Sequence, residues 1–396
     1  MTRLKATGLL LIVTVSITTA TLGQSSVTGT PPFASFQSGP FGTLNLGNLN
    51  VHLVIPVVSK AGRGTPFNFS LSYDSTVWTP VTSGSVTSWQ SAGNWGWTTL
   101  TAAAFGSVTT ASYTATCNNP DTGQRYQVPA TKITSYTDPT NTAHQLHIPE
   151  DPCQLGSTLQ GTVTDGSGWT VYYLNGLIWA TSRSGQTFYV GSSYADTNGN
   201  EISASGNSMI DTLGQTALTT SGTNPVLYTW TNPQSTTSSV KVYYSTFQIK
   251  SGFGCSSVND VTMANQQLIT SIVMPDNTSY VFTYEPTNNA PGYYTGRMKT
   301  ITLPTGGQIS YSYSGGSAGI ECADGTAAGL NIVTPDSSTG WTYSRRSTGT
   351  GPIWQTTVTD PLGNDTVLKF LDIYETDRYA YQGPQSANVI LRTTNT

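Results

Sequence analysis

The sequence predicts an all-β protein: antiparallel hairpin repeats in an extended or spiralling sheet, preceded by an N-terminal β module. Three observations predict it. Thr and Ser supply 111 of 396 residues (67 Thr, 44 Ser), with 40 Gly and 21 Tyr, a composition that suits strands and turns and not long helices. No segment sustains an apolar period of about 3.6 residues, whereas runs such as Phe67 to Tyr73 alternate apolar and polar residues, as half-buried strands do. Finally, a Pro-led turn followed by an alternating aromatic strand recurs in the last third of the chain.

Charge narrows the function classes. Only 9% of the residues are charged, with a formal net charge of −4, against about 25% charged in an ordinary soluble domain. A nucleic-acid partner needs a basic footprint, and none is present. A disordered chain would be poor in aromatics, but 10% of these residues are Phe, Trp or Tyr. The length suits two or three modules.

Residues 1–23 are predicted as a signal peptide. Arg3 and Lys5 give a positive start, Leu9 to Ile17 form the apolar run, and small residues follow at Ala20 and Gly23. That run is far short of the about 20 residues that span a bilayer. The expectation is a secreted or cell-surface chain with no membrane span after signal removal. Four cysteines fit an oxidising compartment: Cys117, Cys153, Cys255 and Cys322. They allow three pairings, or four buried thiols. Nearest pairing, Cys117 with Cys153 and Cys255 with Cys322, closes the shorter loops.

Residues 24–130 form the predicted N-terminal β module. Val51 to Ile55 and Phe67 to Tyr73 read as a hairpin joined through Gly62, Arg63 and Gly64. Trp89, Trp95 and Trp97 lie within nine residues. They are candidate glycan contacts, although such residues more often fill a β core. Residues 131–265 read as irregular β structure with degenerate repeats. Residues 266–396 carry the hairpin repeats proper.

Those repeats align without gaps. Pro275, Pro304 and Pro361 each lead, nine residues later, to an aromatic residue: Tyr284, Tyr313 and Phe370. A looser copy starts at Pro335, and the four prolines are spaced 29, 31 and 26 residues apart. Pro fixes the first turn position and Gly or Asn takes the left-handed one. The predicted turn positions are therefore Pro275, Pro304, Gly306, Gly307, Pro361, Gly363 and Asn364. Gly306 and Gly307 are the candidates for positive φ. Repeated hairpins of this period predict a stacked or spiralling sheet.

The segments DTNGN at 196–200, IDTLGQ at 210–215, GRMKTITLPTGGQISYSY at 296–313 and TDPLGNDT at 359–366 resemble tyrosine-aspartate (YD) repeats of Rhs proteins. The stretch from GPFGTLNLGNLNVHLVIPV to LSYDSTVW resembles the N-terminal part of secreted bacterial Rhs-type proteins. The resemblance implies a sheet that spirals into a hollow shell, as in teneurins and toxin-complex proteins. It also implies a partner: an Rhs core or toxin segment that the shell encloses or presents. This sequence ends soon after its last repeat, with no recognisable core signature, so the family's self-cleaving aspartates have no matching positions here.

Motifs that could carry chemistry give little. Gly315 to Gly319 matches the G-x-S-x-G elbow around Ser317, but His52, His144 and His147 all lie upstream, and a Gly/Ser turn is the simpler reading. His144, His147 and Glu150 have a metal-like spacing, but Pro149 argues against a helix and an i, i+3 pair in a strand points to opposite faces. They are expected as exposed loop residues. Asp196, Asn198 and Asn200 match the start of a calcium loop, which then fails at Glu201 and Asn207, so an Asx turn is expected. Glu150, Asp151, Glu201, Glu285 and Glu321 are isolated acids with no pair signature. No catalytic, cofactor or metal residue is assigned. The expected work is that of a non-catalytic scaffold, with cell-surface glycan binding through the Trp cluster as the alternative.

Overall fold

The computed structural model describes residues 28–39, 42–101, 106–119, 121–148, 153, 158–174, 176–315, 317, 319–320, 322, 328–349, 353–372 and 374–395. Residues 1–23, and with them the expected signal peptide, lie outside this set, as do Glu150, Asp151 and Glu321. Among the described residues the protein is built from strands, with only two short 3-10 turns.

Twenty strands, from Leu159–Thr162 to Ile390–Asn395, form one sheet in which each strand pairs with the next in sequence. All these consecutive pairings are antiparallel. One ladder thus crosses the 265/266 border between irregular β and repeats, and the strand Arg125–Thr137 crosses the 130/131 border. Strand Thr237–Lys250 also pairs in parallel with Tyr293–Thr302, at Gln248 with Tyr293 and Ile249 with Tyr294. That extra pairing closes a ring of four strands within the ladder.

The period of two decides which side chains are buried. In Gln308–Ser314, Ile309 and Tyr311 are buried while Gln308 and Ser312 are exposed; in Ser279–Pro286, Phe282 and Tyr284 are buried between exposed Val281 and Thr283.

A shared loop geometry joins alternate pairs. At Met274, Leu303 and Asp360 the first residue's carbonyl accepts from the N–H three residues on, and its N–H donates to the carbonyl four residues on. Ser182, Asp196, Asp211 and Asn232 open loops with the same two bonds. The fourth residue has positive φ in all seven: Gly185, Gly199, Gly214, Ser235, Asn277, Gly306 and Gly363. This is a type I turn followed by a left-handed residue, a common hairpin connection. Because consecutive strands run antiparallel, alternate connections share one rim of the ladder, so these loops form a row. Pro275, Pro304 and Pro361 take the second position, as expected. Gly307 corrects the expectation of positive φ: its place is against Pro335, where an added Cβ would meet Cγ at 2.9 Å.

The N-terminal module is a five-stranded sheet containing Phe36–Gly39, Gly42–Asn45, Val51–Lys60, Phe67–Asp74 and Trp97–Thr101. Its buried residues and the ladder's form one hydrophobic core. Contacts run from Thr65 on Asp196 to Ser35 on Glu375. Laid flat, the ladder between those two points would span roughly 65 Å at about 4.8 Å per strand, against roughly 25 Å for five strands. The ladder therefore curls around the N-terminal sheet. A third sheet, Ser107–Asn118, Arg125–Thr137 and Ala143–Ile148, packs at the start of the ladder through Tyr136, Ile148 and Val171.

Candidate functional site: the inner face of the ladder

Of the two readings the sequence offered for the Trp cluster, the structure takes the core and not the platform. Trp89, Trp95 and Trp97 are about 5–6% exposed, because their large apolar rings seal the joint between the two sheets. Trp97 meets Phe282 edge-on at 4.9 Å, Trp89 meets Phe253 at 5.2 Å, and Trp95 meets Trp78 at 5.6 Å. Trp78 Nε1 donates to the Thr295 carbonyl at 2.6 Å, and the Met298 N–H donates to the Tyr73 hydroxyl at 3.1 Å. Burial pushes the phenols of Tyr73, Tyr284, Tyr311 and Tyr313 well above their ordinary range, so they stay protonated.

Buried charges mark the same joint. Arg297 is 5% exposed and donates from Nε and Nη2 to Glu285 at 2.8 and 2.9 Å. Its guanidinium lies 3.8 Å from the ring centre of Tyr313 and 4.9 Å from that of Phe253. Glu285, singled out as an isolated acid, is thus half of an ion pair; Glu201 is exposed. Arg345 sits over Trp354 at 4.9 Å and Phe370 at 5.4 Å. Lys60 of the N-terminal sheet reaches Asp211 in a rim loop at 3.4 Å.

Asp74 holds three parts of the chain. Its Oδ1 accepts from Gly29 N at 2.9 Å and Asn50 Nδ2 at 2.6 Å, with His52 Nδ1 at 3.1 Å; Oδ2 accepts from Asn141 Nδ2 at 2.8 Å. Four partners for one buried carboxylate satisfy it.

His144 corrects a second expectation. It is 1% exposed, within the strand Ala143–Ile148, because two aspartates bracket its ring. Nδ1 lies 2.5 Å from Asp165 Oδ2 and Nε2 lies 3.3 Å from Asp138 Oδ2. Burial alone would lower its pKa, but the bonds and charges of Asp138 and Asp165 hold it above the ordinary value. Asp165 is held below the carboxylate range despite its own burial, by Ser167 and His144. Ser167 Oγ donates to Asp165 Oδ1 at 2.6 Å, so the Ser, His and Asp here form a clasp between the third sheet and the ladder. The backbone of His147 belongs to the same strand.

The other candidates resolve into loop structure. Asp196 Oδ1 accepts from the N–H groups of Asn198 and Asn200, and Oδ2 accepts from Asn200 Nδ2. That is an Asx turn. The Asn200 bonds hold the Asp196 pKa below the usual range. Asp360 and Asn364 repeat the arrangement. Ser317 is buried and its carbonyl accepts from Ile320 N at 3.1 Å, in a turn. All four cysteines are paired, Cys117 with Cys153 and Cys255 with Cys322. The second pair joins two connections on the rim opposite the row of loops.

A space between the sheets is unfilled. A cavity of about 250 Å³ lies between the N-terminal hairpin Phe36–Asn45 and the strands carrying Tyr311, Trp341 and Tyr343, with Asp336 at its wall. Nothing in the sequence signalled it, because it forms where two segments some 300 residues apart fail to interlock.

A scan against models of protein families finds no match, and a search of curated proteins finds no relative. Among the described residues no helix is long and apolar enough to cross a membrane, and no group of His, Cys, Asp and Glu has metal-binding proximity.

Proposed function

We propose that this protein is an exported, non-catalytic β scaffold of the Rhs/YD-repeat kind, whose ladder is wound on its own N-terminal sheet. The observation that carries the reading is that buried polar groups join one part of the chain to another. Asp74, His144 and the Tyr73 hydroxyl each tie segments together. Such groups hold a shape, and a scaffold needs shape. The two disulfides fit an oxidising compartment, in line with the leader expected at residues 1–23. Where a hollow shell would hold its cargo, the N-terminal sheet covers the inner face from Asp196 to Glu375. The partner expected of such a scaffold is an Rhs core or toxin segment.

Expression with its own leader in a bacterial host tests the reading. The expected product is extracytoplasmic, cleaved after Ala20 or Gly23, oxidised at all four cysteines, and digested by protease as one resistant body. Hydrolysis of a polysaccharide or ester panel that a single Glu285→Ala or Ser317→Ala change abolishes would overturn it, as would retention in the cytoplasm.

A further inference from the structure

We propose that the cavity between the N-terminal hairpin and the ladder binds one pyranose ring, such as the terminal residue of a glycan. The proposal does not depend on the scaffold reading. Size comes first: about 150 Å³ suffices for benzene, so about 250 Å³ takes one six-membered ring with its substituents.

Chemistry narrows the occupant. Tyr311 lines the cavity and is 6% exposed, yet its hydroxyl makes no hydrogen bond among the described residues. The hydroxyl is not sealed in the protein interior, so it offers the cavity a donor and an acceptor for an oxygen-bearing partner. Gln37 and Thr334 place further polar side chains on the same wall. The half-buried ring of Trp341 supplies a flat surface, whose negative face attracts the C–H groups of a sugar's apolar side. Asp336 is exposed, and the Thr334 hydroxyl holds its carboxyl below the usual range, leaving an ionised acceptor for ring hydroxyls.

Other ligands use only part of this set. A wholly apolar molecule leaves Tyr311 and Asp336 without partners. An organic cation pairs with Asp336 but carries no acceptor for the Tyr311 O–H. A ring with one apolar face and a polar edge engages Trp341, Tyr311 and Asp336 together.

Ligand-observed NMR on the intact chain provides the test, using the methyl glycosides of glucose, galactose, mannose and N-acetylglucosamine beside indole and phenethylamine. At least one glycoside should bind, and Tyr311→Phe should weaken it about tenfold while leaving the melting temperature unchanged or higher. Asp336→Asn, on an exposed loop, should weaken it without affecting folding, and Trp341→Ala should abolish it. The proposal is overturned if no glycoside binds, if only indole or phenethylamine binds, or if Tyr311→Phe and Asp336→Asn bind as the parent does.

Discussion

Gly296 lies directly against the indole of Trp95: a Cβ added to it would stand 2.6 Å from Trp95 Cε3. Gly296 lies in the ladder strand Tyr293–Thr302 and Trp95 in the 3-10 turn Gly93–Gly96 that leads into the N-terminal strand Trp97–Thr101, and Gly296 has φ +80°, a conformation costly for residues with a side chain. Their contact is where the ladder closes on the N-terminal sheet.

Gly296→Ala should therefore cost more than an ordinary Gly→Ala change. Clash and left-handed strain add, and a loss of about 2–4 kcal/mol is expected. Urea unfolding followed by Trp fluorescence reads it. Gly363→Ala, in a loop where an added Cβ meets nothing within 4 Å, should lose only the strain part.

The clasp around His144 predicts a pH dependence. Its folded pKa lies above the ordinary 6.5, so its contribution is complete below 6.5 and is lost as pH rises through the folded value. Asp165 has the opposite sign: its folded pKa lies below 3.8, so its contribution is present above 3.8 and lost as pH falls through the lowered value. Docking of the third sheet should be firmest between those limits and weaken towards alkaline pH. Hydrogen exchange in residues 125–148 should rise with pH beyond its intrinsic base dependence, and His144→Gln should remove that excess.

The bond Cys255–Cys322 spans 67 residues and bridges connections on one rim. Closing such a loop is typically worth about 2–4 kcal/mol. Cys255→Ser with Cys322→Ser should lower the melting temperature measurably, while native material titrated with a thiol reagent should show no free thiol.

The two faces of the ladder should differ sharply. Phe370 is 1% exposed, and removing its ring leaves a void costing about 3–5 kcal/mol. Ser312 is exposed in its strand, and Ser312→Ala should be neutral within about 0.5 kcal/mol. Equal melting temperatures for the two variants would contradict a half-buried ladder.

The sequence by itself determined the all-β class, the repeat turns and the alternation of their strands. Pro304 and Gly306 set a turn through their own backbone limits, and Ile309 and Tyr311 share a face because a strand repeats every two residues. The cysteine pairing was narrowed by loop length and left open. Tertiary structure decided what that face meets. Tyr73 binds the backbone of Met298 across 225 residues, and no local pattern carries such a distance. Trp89, Trp95 and Trp97 read more readily as core than as a platform, but what they would pack against was decided only when the ladder closed over them. His144 looked exposed because Asp138 and Asp165 reach it from two other connections. Turn and period are short-range properties written in neighbouring residues. Burial depends on which distant surface arrives, and that is fixed only when the sheet curls.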